Sequence, residues 1–321
     1  MDDNQPKTPG ARAAGAAILG AKNAGSTLLF LLKIVVPVTL AVALLQWSGF
    51  LVVIARALAP LMGLLGLSGE AALVFLSSIF LNIYSAIAVA GGLGLDLRQA
   101  TILAIMCLTA HNLLVETAVM KKSGSSAAKM AILRLGAAIV AGALLNLLLS
   151  RSLAARPFLA TGAEQSAEIL GVLSGWAIST GKMAAKMALI VLFVMIAQRL
   201  LEEFRIMDFL SRLFAPLMRI FGLGENASFL WIVINIVGYA YGAGIVIEQI
   251  DSGRMKKQDG DLFNHHASMC HSLLEDSALF LAVGIPFFWV TVPRLAMAII
   301  VVWSERIRRH YVRRSFRAGV D

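Results

Sequence analysis

The stretch HNLLVET at residues 111–117 recurs in related form as HSLLEDS at residues 271–277. Both stretches carry a His, a small polar residue, a Leu-Leu pair, and an acid followed by a hydroxyl residue. Each lies inside an apolar run, where ionisable side chains are costly and therefore face a protein interior or a wet cavity. The pair predicts a helical membrane protein built from two related halves around a polar centre.

A second pair of stretches supports the duplication. The sequence APLM at residues 59–62 matches APLM at residues 215–218, and Gly-Leu follows each at the same distance, at 66–67 and 222–223. Two matches in the same order favour an internal repeat, which is how many transporters are built.

The composition identifies lipid as the solvent. Of 321 residues, 59% are hydrophobic and 15% are charged, and the mean hydropathy is +0.80. A soluble domain carries about 25% charged residues, and a soluble fold could not cover so much apolar surface.

Apolar runs of membrane-crossing length give five segments in each half. In the first half they cover residues 28–47, 50–67, 71–93, 100–120 and 127–149. In the second half they cover residues 183–201, 207–223, 227–247, 262–283 and 285–303. Open backbone cannot face lipid, so these segments should be helices. The predicted fold is an all-α, polytopic membrane helical bundle of two inverted repeats with about five helices each.

This prediction divides the chain into two repeats and their flanking parts. They are a cytoplasmic N-terminal lead-in at 1–26, a first repeat at 27–150, a connector at 151–182, a second repeat at 183–304, and a basic cytoplasmic tail at 305–321.

Basic residues predict the topology. An odd number of crossings inverts the second half, and a cytoplasmic N-terminus then places Lys121, Lys122 and the Arg-rich tail on the cytoplasmic side. We expect a multi-pass protein of the cell (inner) membrane with both termini in the cytoplasm. If the Pro-containing segments 50–67 and 207–223 re-enter or lie in the interface, the halves become parallel and both lysines fall outside.

Polar residues within the apolar runs form the predicted substrate or ion site. Asn112 and Glu116 are four residues apart and should share a helix face, as should Ser272 and Asp276. In an inverted repeat these faces meet near mid-membrane, where transporters place their sites. The alternative is that the residues only hydrogen-bond between helices. The predicted set is His111, Asn112, Glu116, His271, Ser272, Glu275, Asp276, Asn82, Asn235 and Tyr239.

Soft ligands suggest a metal site as a second interpretation. Cysteine, histidine and methionine suit transition metals, although the chain has neither a CxxC nor an HExxH pattern. The candidate ligands are Cys107, His111, His266, Cys270 and His271. Pro60 and Pro216 additionally predict broken helices at matching positions, which in transporters point to the transport site.

Several function classes are disfavoured by the sequence. It carries no Walker lysine motif, dinucleotide fingerprint or nucleophile elbow, so we expect neither an enzyme nor an ATP-driven pump acting alone, and no cofactor. The net charge of +9 is spread over loops and the tail, so no nucleic acid is expected. The expected partners are the lipid bilayer and a small solute or ion, and a homo-oligomer stays open.

The two APLM stretches, their Gly-Leu followers, and the Asn- and Gly-containing segments after them resemble the nucleoside-recognition, or Gate, domain family. The likeness runs from about residue 28 to residue 303 and is similar to a fused tandem of the two spore-maturation membrane proteins. That superfamily includes gate regions of concentrative nucleoside transporters and the membrane part of ferrous iron transporter B. The resemblance implies a helical, inverted-repeat, transporter-like core, and it carries over no substrate site.

Three functions follow as expectations. The first is a transporter that moves a small polar solute or nucleoside-like substrate, coupled to an ion, through a polar site between the repeats. The second is a transition-metal permease of the ferrous type. The third is a membrane scaffold of the spore-maturation type that transports nothing.

Overall fold

The computed structural model describes residues 8–91, 93–155, 168–236 and 238–318. These residues form fourteen α-helices, which confirms the predicted all-α bundle. The first half contains α1 (Pro9–Trp47), α2 (Phe50–Leu64), α3 (Ala71–Phe80), α4 (Ile83–Gly91), α5 (Leu97–Ala110), α6 (Leu113–Lys122) and α7 (Ala127–Leu148). The second half contains α8 (Ile169–Glu203), α9 (Ile206–Ile220), α10 (Ser228–Ile236), α11 (Tyr239–Asp251), α12 (Lys257–Met269), α13 (Leu273–Ala282) and α14 (Phe287–Ala318).

Length and composition mark three stretches of the described residues as able to cross a membrane. They cover residues 97–122, 127–148 and 287–312. Helices Arg212–Ile220 and Glu225–Ile236 would add a fourth as a pair bent by 106°. This bend fits a broken span or a re-entrant loop, one of the arrangements that the Pro-containing segments leave open.

The two halves follow the same helix order, α1–α7 and α8–α14. The Gly-Leu followers of the APLM stretches contribute the same turn to both, because Gly66 has φ 71° and Gly222 has φ 69°. Glycine takes this left-handed conformation without the steric cost that a Cβ brings. The duplicated motif therefore marks a duplicated helix ending.

The corresponding lead helices α1 and α8 pack against each other in opposite directions. Arg12 near the start of α1 pairs with Glu203 at the end of α8, at 2.6 Å. Further along, a Cβ at Gly20 would lie 2.8 Å from the Cα of Ile196, so the two backbones touch. An inverted repeat requires this antiparallel arrangement, and the inversion across the membrane stays a prediction.

The centre of the molecule is formed by four helices that pack across the halves. Helix α5 packs on α7 of its own half and on α14 of the other, and α12 packs on α14 and on α7. Apolar side chains such as Ile102 and Leu108 of α5 and Phe263 of α12 are fully buried there. This reciprocal packing brings the two polar stretches together.

Four of the predicted segments are not single helices. Segments 71–93 and 100–120 break at Leu81–Asn82 and at His111–Asn112, and segments 227–247 and 262–283 break before Tyr239 and at Cys270–Ser272. Each half consequently has seven helices where about five were expected. Asn112 and Glu116 also do not share a helix face, because Asn112 precedes α6 in a left-handed conformation, with φ 48°. Ser272, with φ 49°, precedes α13 in the same way.

The prolines do not cause these breaks. Pro60 lies inside α2 and Pro216 lies inside α9. A proline removes one helical hydrogen bond, but both helices continue for a turn beyond it before they end at Leu64 and Ile220. Neither helix is therefore broken at its proline, although the helix of Pro216 is followed by the bend of 106°.

Candidate functional site

The site lies where α5 meets α6 and α12 meets α13. At each break the chain turns through one left-handed residue, Asn112 or Ser272, a conformation that asparagine tolerates better than serine. Both turns are held by a buried backbone bond: Asn112 N–H donates to Ser78 O at 2.8 Å, and Ser272 N–H donates to Ile234 O at 2.7 Å. The breaks thus have the same backbone support in both halves.

The breaks place two histidines in contact. The Nε2 atoms of His111 and His271 are 3.2 Å apart, and both rings are buried. The Nδ1 atoms lie 3.1 Å from Leu108 O and 2.6 Å from Ala267 O. Because a carbonyl oxygen only accepts, each Nδ1 carries a proton, and each ring in its neutral form would present a lone pair at Nε2.

Two buried carboxylates flank the histidine pair. Glu116 Oε1 lies 3.3 Å from His271 Nε2 and 3.5 Å from His111 Nε2. Asp276 Oδ2 lies 3.9 Å from His111 Nε2. The structure thus brings together four of the predicted residues, two from each half.

Two arginines complete the site, and the sequence reasoning missed both. Arg134 of α7 and Arg294 of α14 are fully buried. Arg134 donates to His111 O at 2.8 Å, and Arg294 donates to His271 O. Each arginine follows its histidine by 23 residues. That repeated spacing within apolar runs is the signal that could have found them.

The two arginines differ in their acid partners. Arg134 Nη1 pairs with Glu116 Oε2 at 2.6 Å, and Arg134 Nε donates to Thr109 O at 2.8 Å. Arg134 Nη1 and Glu116 Oε2 meet only each other, as this ion pair, whereas Nε and Nη1 of Arg294 and Oδ2 of Asp276 have neither a hydrogen bond nor an ion pair with each other among the described residues. Aspartate is one methylene shorter than glutamate, so the second half contains a buried acid and a buried arginine that do not close a pair.

The remaining predicted binding residues surround this centre or lie apart from it. Asn82 is exposed and caps α4, where its Oδ1 accepts from Ser85 N–H at 2.9 Å. Glu275 accepts from the Tyr84 hydroxyl at 2.8 Å. Asn235 donates to Trp231 O, and Tyr239 donates to Asn264 at 2.7 Å, with its ring 6.0 Å from that of His271.

The structure brings some of the predicted metal ligands together and places the others apart. His111 and His271 lie together, and with Asp276 their ligand atoms fall within 4.8 Å of one another. His266 instead accepts from Trp231 Nε1 at 3.0 Å and packs against Phe221. Cys107 lines a small apolar cavity, and the sulfur of Cys270 lies 4.0 Å from Asn235 Oδ1.

A second polar cluster, which the sequence reasoning did not identify, lies near the C-terminal part of α14. Asp261, His265 and Glu305 hold their ligand atoms within 4.8 Å of one another. Lys129 pairs with Glu305 at 3.0 Å, and Arg309 pairs with both acids. Basic side chains therefore already neutralise these carboxylates.

Comparison with known proteins gives the chain its family. The family model described as "Gate: Nucleoside recognition" matches residues 28–127 and 184–304. The chain is 31% identical over 274 residues to the uncharacterized membrane protein YvoD of Bacillus subtilis (strain 168), which covers 85% of this chain and 88% of the relative. No solved structure matches. This chain therefore belongs to the Gate, or nucleoside-recognition, family of membrane proteins, and carries two copies of the matching region.

Proposed function

We propose that this membrane protein is a transporter that moves a small polar solute across the inner membrane, coupled to a cation at the histidine pair, with both termini in the cytoplasm. The observation that carries the proposal is the 3.2 Å approach of the two Nε2 atoms. With both Nδ1 atoms donating to carbonyl oxygens, two neutral rings would face each other with lone pairs, and Glu116 Oε1 would lie 3.3 and 3.5 Å from the same two nitrogens. Such lone pairs repel, so the pair holds a proton or another cation between its nitrogens.

The fixed charges around the pair balance. Arg134 and Arg294 oppose Glu116 and Asp276, so a bound proton adds one positive charge to a buried site. An unbalanced charge in a medium of low dielectric constant is costly. A solute with an anionic or acceptor-rich group offsets that cost, and the binding of cation and solute is then mutually favourable. A nucleoside-like solute, rich in acceptors, fits this requirement and the family description.

The experiment is flux into proteoliposomes that contain a trapped pH dye. The probes are uridine and adenosine, added with and without an imposed proton gradient. We expect uptake with acidification of the lumen, reduced at least tenfold in His271→Gln because the nitrogen pair is lost. His310→Gln changes an exposed histidine far along α14 and should leave both signals unchanged. A folded protein that moves neither probe nor protons contradicts the proposal and favours a scaffold.

One observation favours a transition-metal permease as the second candidate. The ligand atoms of His111, His271 and Asp276 lie within 4.8 Å of one another. Two imidazole nitrogens bound to one metal at about 2.0–2.1 Å in tetrahedral geometry are roughly 3.3 Å apart, close to the distance seen here. Equilibrium dialysis against Zn²⁺, Mn²⁺ and Fe²⁺ distinguishes the candidates.

The dialysis experiment has a matched control within the predicted metal set. His111→Ala and Asp276→Asn should abolish stoichiometric metal binding if the ion is cargo. Cys107→Ser and His266→Ala should leave it unchanged, because neither side chain reaches the histidine pair. Absence of bound metal in the unmutated protein would remove this candidate and leave proton coupling.

A further inference from the structure

The residues between the histidine pair and each end of the protein occupy equivalent positions in the two repeats. They are polar towards one end and apolar towards the other. One end carries the exposed lysines Lys121, Lys122, Lys256 and Lys257, and is called here the basic side. Two positions are called matched when they are separated by 160 residues, as His111 and His271 are. For the helices before these breaks, the separation of Pro60 and Pro216 is used instead.

On the basic side the route is closed by a hydrogen-bonded cluster, called here the polar clasp. Its members are Ser123, Ser125, Tyr239 and Asn264. Asn264 Nδ2 donates to the hydroxyls of Ser123 and Ser125, both at 2.9 Å. Asn264 Oδ1 accepts from the Tyr239 hydroxyl at 2.7 Å, which lies 3.0 Å from the Ser123 hydroxyl. All four residues are buried.

The polar clasp joins the two repeats. Ser123 and Ser125 belong to the loop between α6 and α7, whereas Tyr239 and Asn264 belong to α11 and α12. Backbones approach closely at the same place, since a Cβ at Gly124 would lie 2.9 Å from Lys257 O. Asn264 precedes His271 by two helical turns, about 10 Å along the axis. The clasp therefore lies directly between the histidine pair and the basic side.

The matched positions at the opposite end are apolar. Ala104 replaces Asn264, Ile83 replaces Tyr239, and Val283 and Ile285 replace the two serines. Ala104 and Ile285 line a cavity of about 10 Å³ whose lining residues are all apolar or cysteine. A space lined in this way offers ordered water none of the polar partners it needs. Gly284, the match of Gly124, has nothing within 4 Å of its ideal Cβ position.

The difference continues one layer outward. On the basic side, Ser125 donates to Asp261 at 2.5 Å, and Lys129 pairs with Glu305 at 3.0 Å. The positions matched to Asp261 and Glu305 are Thr101 and Leu145, both buried. Polar closure thus extends through two layers on the basic side, whereas at the opposite end only the inner layer is wholly apolar, because the Thr101 hydroxyl donates to Leu97 O within its own helix.

We propose that Asn264 and Tyr239 are gating residues, and that the polar clasp is the gate through which the histidine site opens to the basic side. Water can replace each hydrogen bond of the clasp as it opens. Opening the apolar end exposes hydrocarbon surface to water, which no new bond offsets. The basic-side gate therefore opens more readily. The role of a gate rests on the proposed transport, but the accessibility it predicts does not.

The test uses Cys270 as a reporter, because this buried thiol directly precedes His271. In a Cys107→Ala background, a membrane-impermeant methanethiosulfonate reagent is applied to inverted and to right-side-out vesicles. Each buried hydrogen bond that is lost shifts an opening equilibrium by about fivefold. We expect Asn264→Ala to raise the labelling rate of Cys270 at least tenfold from the basic side only. Tyr239→Phe, which keeps the ring, should raise it about fivefold.

The matched control is Ala104→Gly, which changes the equivalent position at the apolar end and should leave basic-side labelling unchanged. Two results would overturn the proposal. One is unchanged labelling in both clasp variants, each verified as folded by gel filtration. The other is an equal rise from both sides, which indicates general loosening. If labelling behaves as expected but the flux experiment shows no transport, the opening of the clasp to the basic side stands, and the transporter proposal fails.

Discussion

The helix breaks at His111 and at His271 have the same backbone conformation. They differ in the contacts of the buried arginine that binds each histidine carbonyl. In the first repeat, Arg134 closes a buried ion pair with Glu116 and binds two carbonyl oxygens. In the second repeat, Arg294 binds the carbonyl of His271 and leaves its other nitrogens unpaired among the described residues. The first repeat thus contains a closed ion pair between Arg134 and Glu116, whereas in the second repeat Arg294 and Asp276 form none among the described residues.

Removing each arginine should have the largest effect on the free energy of unfolding, and the two losses should differ. Arg134→Met leaves Glu116 buried and uncompensated, so we expect a loss of about 3–5 kcal/mol in the free energy of unfolding. Arg294→Met removes fewer bonds and should cost about 1–3 kcal/mol. Unfolding by SDS titration in mixed micelles measures both. Equal losses would mean that the two arginines have the same structural role.

Exchanging the two acids should change the free energy of unfolding by a smaller amount. Asp276→Glu adds the methylene that the second pair lacks, so it should reach Arg294 and raise the free energy of unfolding by about 1 kcal/mol. The reciprocal Glu116→Asp should lower it by about 1–3 kcal/mol, because Arg134 loses its partner. The same titration reports both values, and a destabilised Asp276→Glu would show that the gap has no room for the longer acid.

The left-handed residues provide the smallest test. Glycine relieves the strain of a positive φ, and serine tolerates that conformation less well than asparagine does. We expect Ser272→Gly to stabilise the fold by about 0.5–1 kcal/mol and Asn112→Gly by less. The order of the two changes is the observation of interest. A larger gain at Asn112 would show that the side chain of Ser272 makes a bond that offsets its strain.

The sequence predicts the polar centre because its signal is local and repeated. His111 and His271, with their acids, stand out within apolar runs, and their pairing follows from the duplication. Spacing along a helix does not predict which side chains share a face where the helix is interrupted. Cys107 and His111 are four residues apart, yet Cys107 faces an apolar cavity while His111 lies at the end of α5. A left-handed residue is invisible to a periodic pattern.

The shared spacing of 23 residues marks the two arginines as a repeated pair, but their contacts and those of the polar clasp depend on how the helices pack. Arg134 and Arg294 reach their carbonyls across the packing of α5 on α7 and of α12 on α14, which only the fold reveals. Ser123 and Asn264 are 141 residues apart, and neither is an unusual residue in its own segment. Tyr239 was a candidate for substrate binding, and the structure places its hydroxyl in the clasp.

The length of α1 has a consequence outside the bilayer. Its 39 residues extend about 58 Å, whereas the hydrocarbon is about 30 Å thick. Asn23 and Ser26 line one cavity with Lys122 and Glu248, so this part of α1 lies level with the basic side. The first turns of α1, paired with the end of α8, therefore extend about 20 Å beyond that level. Because these turns join the lead helices of both repeats, a pair of fluorophores at their tip would report any change in the angle between the two repeats.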